Sequence, residues 1–211
     1  MHEEVLPKGT SDVFVRLAQS GLLRDAYLAG GTNIALQLGH RISRDLDFFF
    51  PDTFDERSLA QQLEKLGLSI ERMEWQTVDG FFDEVKFSCF SYPYPVLFPS
   101  LPYGEMHLAD LHDAAIMKID TIASRGARRD FIDLYSILQN RQWSLHDMMV
   151  LYERKYAGTR NTLLHALKSL TYFADAEADE TPLVLLHPVA WPDIEMFFRT
   201  EVANAAGKLL T

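Results

Sequence analysis

Two aspartates, Asp45 and Asp47, stand two apart in the run RDLDFFF. On an extended strand, residues i and i+2 face the same side about 6 to 7 Å apart, so both carboxylates project together while Leu46 and Phe48 face the opposite way. Carboxylates held that close raise each other's pKa unless a cation lies between them. Mg²⁺ suits such a pair, because it is a hard ion that takes one or two carboxylates and completes its shell with water and substrate phosphates. The same two charges also suit a solvated edge strand, so the pair alone does not decide. Upstream, the apolar run AYLAG ends at Gly30 and Gly31, and Thr32 opens a helix. A strand that stops in Gly-Gly-Thr before a helix exposes backbone N–H groups at the positive end of the helix dipole, which together cradle phosphate. A plain turn capped by Thr32 is the bland alternative. Side by side, a phosphate cradle and a carboxylate pair are the two halves of a nucleoside triphosphate site.

Other chemistry-bearing residues gather nearby and farther on. His40, Arg41, Ser43 and Arg44 lie immediately before the aspartates, where Arg41 either holds a phosphate or neutralises Asp45. In LADLHDAAIMKIDTIASRGARRDFIDLYSIL, a helical wheel started at Leu111 puts Ala114, Ala115 and Ile122 on one stripe, Lys118 at its centre, and Asp113 and Asp120 opposite. A lysine at the centre of an inward stripe is unusual. It either snorkels to the rim or directs its ammonium at a ligand. The next helix has Phe131, Leu134, Tyr135 and Leu138 as its apolar face, flanked by Asp130 and Asp133. The preference of acids for a helix N-terminus accounts for Asp130, whereas Asp133 lies past the first turn. The stretch from Lys118 to Arg129 holds four cations and one acid, and reads either as an exposed helix end or as a contact for phosphate oxygens. The seven histidines show no zinc-ligand spacing with each other or with cysteine.

GGT followed by HRISRDLDFF resembles the GG/GS…DxD signature of the DNA polymerase beta-like nucleotidyltransferase superfamily, and more closely its AbiEii/AbiGii toxin family. The resemblance continues through a lysine motif at Lys118 and the DFIDL run, and so covers about residues 27 to 140. It implies an α+β fold, a small mixed sheet with flanking helices followed by a helical subdomain. It implies Mg²⁺-dependent transfer of a nucleotidyl group from an NTP to an acceptor hydroxyl, with an RNA such as tRNA as acceptor. The chain would then be the toxin-type component of a bacterial toxin-antitoxin or phage-defence system with a cognate antitoxin. Residue by residue, the resemblance implies metal ligation by Asp45 and Asp47, and nucleotide contacts from Gly30, Gly31, Thr32, Arg41, Ser43, Lys118 and Asp130. It implies catalytic roles for Asp45, Asp47, Lys118 and Asp133, with the lysine reaching the triphosphate in an interdomain cleft.

One departure matters. Enzymes of that superfamily usually carry a third carboxylate on a later strand, as general base and second metal ligand, and the corresponding strand here reads EVKFSCF. Alternation puts Lys86, Ser88 and Phe90 on one face, and none is acidic. Asp83 and Glu84 substitute only if the strand register allows it. The candidate general bases are therefore Asp47, Glu84 and, foremost, Asp133. The alternative is a nucleotide-binding or protein-interaction module that keeps the fold without turnover.

The elements that must position these groups follow from periodicity. SDVFVRLAQSGLLR reads as a helix, AYLAG as a short buried strand, Thr32 to Leu38 as a helix, and RDLDFFF as a strand stopped at Pro51. A helix from Glu56 to Leu66 and a strand from Leu68 to Trp75 come next. FFDEVKFSCFSYPYPVLFP begins as one strand and dissolves into loop at Pro93, Pro95, Pro99 and Pro102. Here a boundary divides an α/β subdomain, 1–105, from a helical one, 106–211. Beyond it come four further helical runs after the Lys118 helix, one near residues 160 to 173 and the last from Trp191 to Leu209, with ADAEADE as an exposed loop.

A length of 211 residues suits one good-sized domain or two small ones, and a formal net charge of −10 argues against a surface that binds nucleic acid everywhere by counterion release. The acidity is mostly N-terminal, −7 over residues 1–105 against −3 over the remainder. A single cysteine, Cys89, with no signal-like start and no bilayer-length apolar run, points to a reducing cytoplasm and no membrane partner. Cys89 reads as a small buried hydrophobe.

Overall fold

The computed structural model describes residues 1–158 and 162–209, which divide into two compact units, Met1–Asp110 and Leu111 onward. In the first, a short 3₁₀ turn at Glu3–Val5 precedes α1 (Lys8–Ser20) and β1 (Tyr27–Leu28). Then come α2 (Gly30–Leu38), β2 (Leu46–Phe50), α3 (Glu56–Lys65) and β3 (Ser69–Glu74). The unit closes with β4 (Thr77–Phe82), β5 (Val85–Ser91), β6 (Leu101–Tyr103) and β7 (Met106–Leu108). All seven strands form one mixed sheet in the order β3-β4-β5-β2-β1-β7-β6. β2 runs parallel to β5 and β1 parallel to β7, and the remaining pairs are antiparallel.

Alternation along the strands divides the two faces of this sheet. Leu46, Phe48 and Phe50 of β2, Phe87 and Cys89 of β5 and Val78 and Phe82 of β4 join one buried cluster with Val13, Phe14 and Leu17 of α1 and Leu59, Ala60 and Leu63 of α3. Asp47 and Phe49, and Lys86, Ser88 and Phe90, therefore fall on the opposite face. Asp55 fixes the start of α3 by accepting from the backbone N–H groups of Arg57 and Ser58.

Two local expectations are corrected. The stretch read as one strand is a hairpin: β4 and β5 pair antiparallel with Phe82 opposite Val85, and Asp83 takes a positive φ of 54° in the turn. The proline-rich segment returns as the β6–β7 hairpin. Pro102 is admitted because β6 is the outermost strand, where a missing N–H interrupts no ladder.

The second unit is helical: α4 (Leu111–Ser124), α5 (Arg128–Arg141), α6 (Leu145–Lys155), α7 (Leu163–Ser169), α8 (Ala174–Ala178) and α9 (Trp191–Leu209). Of the helix expected near 160 to 173, α7 is the observed part, and positions 160 and 161 lie outside the described residues. ADAEADE is not a plain loop, since its first five residues are α8 and Ala176 is buried. Alanines carry that single turn, and Asp179, just beyond it, accepts from the N–H of Arg128 at the start of α5. Phe131 anchors this core, fully buried against Phe173, Phe198 and Trp191 at centroid distances of 5.2, 5.4 and 5.9 Å.

Candidate active site

In the first unit the carboxylate pair lies at the start of β2. Asp45 precedes the strand and Asp47 is its second residue, both half-buried. β1 fixes their level, because the Ala29 N–H donates to the Asp47 carbonyl at 2.9 Å. The chain then turns into α2 through Gly30, whose φ is +65°. A β-carbon at Gly30 would lie 2.7 Å from Oδ2 of Asp47, so glycine is required here by both conformation and space. The Asp47 carboxylate thus lies directly against the first residue of α2.

Thr32 is buried, and its hydroxyl bonds the Asp45 carbonyl and lies 2.7 Å from the Ser43 hydroxyl. Ser43 is buried too, with its N–H donating to the Val5 carbonyl. These two side chains clamp the approach to β2 onto the first turn of α2, which sets where the aspartates emerge. Arg41 is buried and donates to the Ile42 carbonyl at 3.1 Å. Two polar residues that the sequence reading passed over complete the frame. Asn33 and Gln37 both donate to the Ala109 carbonyl, at 3.1 and 2.9 Å, and so tie α2 to the end of β7. Their i,i+4 spacing on an otherwise apolar helix was the available signal.

The register of the sheet tests the place of a third acid. Asp47 pairs with Ser88, Ser88 with Asp79, and Asp79 with Arg72. One row across the sheet therefore reads Asp47, Ser88, Asp79, Arg72. Arg72 donates its Nε to Asp79 at 2.7 Å. Glu84 lies in the β4–β5 turn, four residues before Ser88, or about 13 Å along the strand from the level of Asp47.

In the second unit Lys118 is buried on α4, and its ammonium bridges Asp130 at 2.8 Å and Asp133 at 2.7 Å. The two acids are one turn apart on α5 and both fully buried, so they present adjacent carboxylates to one cation. Gly126, at φ +59°, makes the tight turn between α4 and α5 that this approach needs. Arg125 forks onto Asp130 through Nε at 2.9 Å and Nη2 at 3.1 Å, with its side chain 51% exposed. Burial alone would push the Asp130 carboxyl up, but the Lys118 charge and the Arg125 fork outweigh it and hold it below the usual carboxylate range. On the other side of α4, Asp113 accepts from Lys155 at 2.6 Å and Asp120 from the Tyr152 hydroxyl at 3.2 Å. α4 is thus held to α6 by a separate set of polar contacts.

A family model described as nucleotidyl transferase AbiEii toxin, type IV toxin-antitoxin system, matches residues 12–89, the span that contains the glycines and both aspartates. An uncharacterised protein of Aquifex aeolicus is 34% identical over 206 residues, covering 93% of this chain and 96% of the relative. Among solved structures, MenT4, a nucleotidyltransferase toxin from Mycobacterium tuberculosis, superposes with a TM-score of 0.55 at 18% identity, over 95% of this chain and 86% of that one. JHP933 from Helicobacter pylori gives 0.53 at 15% identity, over 97% and 94% of the two chains. The matched segment carries the Gly30 turn and the Asp45–Asp47 pair, the fold is that of nucleotidyltransferase toxins, and the chain belongs to the AbiEii nucleotidyltransferase toxin family.

Proposed function

We propose that this protein transfers a nucleotidyl group from an NTP to an acceptor hydroxyl, with an RNA such as tRNA as acceptor, and acts in the cytoplasm as the toxin of a pair with a cognate antitoxin. The observation that carries the reading is the approach of Gly30 to Asp47, which sets a carboxylate against a helix N-terminus. Phosphate and cation sites are then neighbours by construction. Among the described residues no group of three or more Asp, Glu, His or Cys could hold a metal, so a protein cage is not available. Two half-buried carboxylates fit Mg²⁺, which leaves its remaining positions to water and phosphate oxygens. When bound, the ion would neutralise triphosphate charge and polarise the α-phosphate.

The chain's own residues supply the rest. The backbone at Gly30 and Gly31 receives phosphate oxygens at the start of α2, and Thr32 and Ser43 hold that turn in place. Asp47 accepts the hydroxyl proton as the acceptor oxygen bonds to the α-phosphorus and the bond to the departing pyrophosphate breaks. In the second unit, Asp130 and Asp133, both fully buried on the Lys118 ammonium, orient that side chain. Asp133, the foremost expected base, is supported better in this orienting role than as a proton acceptor.

The test is to incubate the protein with each labelled NTP, Mg²⁺ and total RNA, alongside Asp45→Asn and Asp47→Asn. Label should enter RNA with wild type only. Wild type that binds NTP and labels no RNA or protein would favour the second reading, a binding module without turnover, to which Ser88 in the row beside Asp47 lends support.

A further inference from the structure

We propose that Lys86 takes the place of a third carboxylate, so that the reactive face of the sheet holds one divalent cation and uses a lysine ammonium as its second positive charge. This rests on the nucleotidyl-transfer reading above and specifies how the same site handles the acceptor. The parallel pair β2–β5 begins at Leu46 and Phe87, and the residues directly before them are Asp45 and Lys86. Lys86 and Ser88 alternate with Val85, Phe87 and Cys89, which are buried, so both belong to the face that carries Asp47. Lys86 is exposed, whereas Ser88 is buried. The strand flanking the aspartate pair therefore offers it a cation and a neutral hydroxyl.

A second Mg²⁺ would need hard anionic oxygens from that flank. Asp79 is the next acid in the row, but it lies two strands from Asp47, about 10 Å between α-carbons. That is too far for two carboxylates to share an ion whose ligands stand about 2.1 Å away. Arg72 also engages Asp79 directly. An ammonium on a four-carbon stem reaches the same region without any ligand set, and it repels a second dication instead of binding one. Lys86 is then placed to hold the acceptor oxygen, favouring its ionised form as the proton passes to Asp47, the new bond to phosphorus forms and pyrophosphate leaves.

Metal stoichiometry tests this independently of turnover. Mn²⁺ bound by the full chain with an NTP analogue whose α–β bridge cannot be cleaved is counted by electron paramagnetic resonance. Wild type is expected to hold one ion per chain, and Lys86→Asp to hold two. Lys86→Met should fold, since the position is exposed, keep NTP affinity within about threefold and lose roughly a hundredfold or more in transfer, with Lys86→Arg recovering part of it. Two ions in wild type, or Lys86→Met transferring at the wild-type rate, overturn the role of Lys86 and leave the nucleotidyl-transfer reading standing. No ion bound in wild type overturns that reading, and the role of Lys86 with it.

Discussion

The α-carbon of Gly30 faces the carboxylate of Asp47 so closely that a methyl group there would meet Oδ2 at 2.7 Å. Gly30→Ala is expected to displace the carboxylate and to impose a left-handed backbone on alanine, at a cost of about 1–2 kcal/mol. Chemical denaturation reads the loss of stability, and calorimetric titration should show weakened Mg²⁺-dependent NTP binding. Unchanged binding would detach the glycine turn from the carboxylate pair.

Asp45→Asn and Asp47→Asn each remove one charge from a half-buried pair without changing side-chain shape. Both should fold with little change in denaturation midpoint and bind Mg²⁺–NTP more weakly than wild type. Equal affinity in both variants and wild type would leave the pair as a surface feature.

Lys118→Met preserves the apolar stem and helix propensity but leaves Asp130 and Asp133 buried around a missing charge. Breaking a buried ion pair from one side costs about 3–5 kcal/mol, so this variant should be clearly destabilised. Adding Asp133→Asn should recover part of that loss. A double-mutant cycle in urea measures the coupling, and additive losses would refute it.

The lowered Asp130 carboxyl sets a pH dependence. A carboxylate whose folded pKa is depressed contributes stability above its unfolded value of about 3.9, and that stability is lost as pH falls through the folded value. Acid destabilisation from this group should therefore lie below about pH 4. Arg125→Ala removes one of the two groups that lower it, so its folded value rises toward the unfolded one and less stability should be lost between pH 7 and pH 3 than in wild type. Urea midpoints from pH 7 to pH 3 compare the two proteins, and coincident profiles would sink the assignment.

Cys89 is fully buried on β5, between β2 and β4 in the sheet, and burial pushes its thiol up to about 12. A thiol reagent at pH 8 should modify the native protein only at the rate of global opening. Because the unfolded thiol ionises near 8.5 and the folded one near 12, stability should fall as pH rises between those values. Rapid native-state labelling at pH 8 would contradict this burial.

Much of the fold and of the carboxylate pair was legible because it rests on local pattern. Period-2 alternation in LDFFF and the Gly-Gly-Thr turn locate β2 and α2 to within a few residues. The β4–β5 hairpin was not legible, because its turn at Asp83 and Glu84 lacks the glycine that usually marks a two-residue loop. The β6–β7 hairpin was hidden by prolines that only an outermost strand tolerates. At the Lys118 cluster, helical periodicity showed that the lysine pointed inward but not that two acids of the next helix met it. Those contacts depend on the angle set by the turn at Gly126, which a wheel drawn on one helix does not contain. The row from Asp47 to Arg72 depends likewise on register between distant strands.

β1 spans only Tyr27 and Leu28, and it is held on one side by β7, where Leu28 pairs with Leu108 and receives the N–H of Ala109. The Ala109 carbonyl in turn receives Asn33 and Gln37 of α2. During synthesis, therefore, the segment bearing Gly30 and the aspartates leaves the ribosome well before the strand that braces it. Parallel pairing across so long a loop is slow to form. A nascent chain paused before residue 106 would carry every residue of the carboxylate pair and its glycine turn, yet lack the brace that orders them. Ordering of the glycine turn and the carboxylate pair thus waits until residues 106–109 have emerged, midway through translation of the chain.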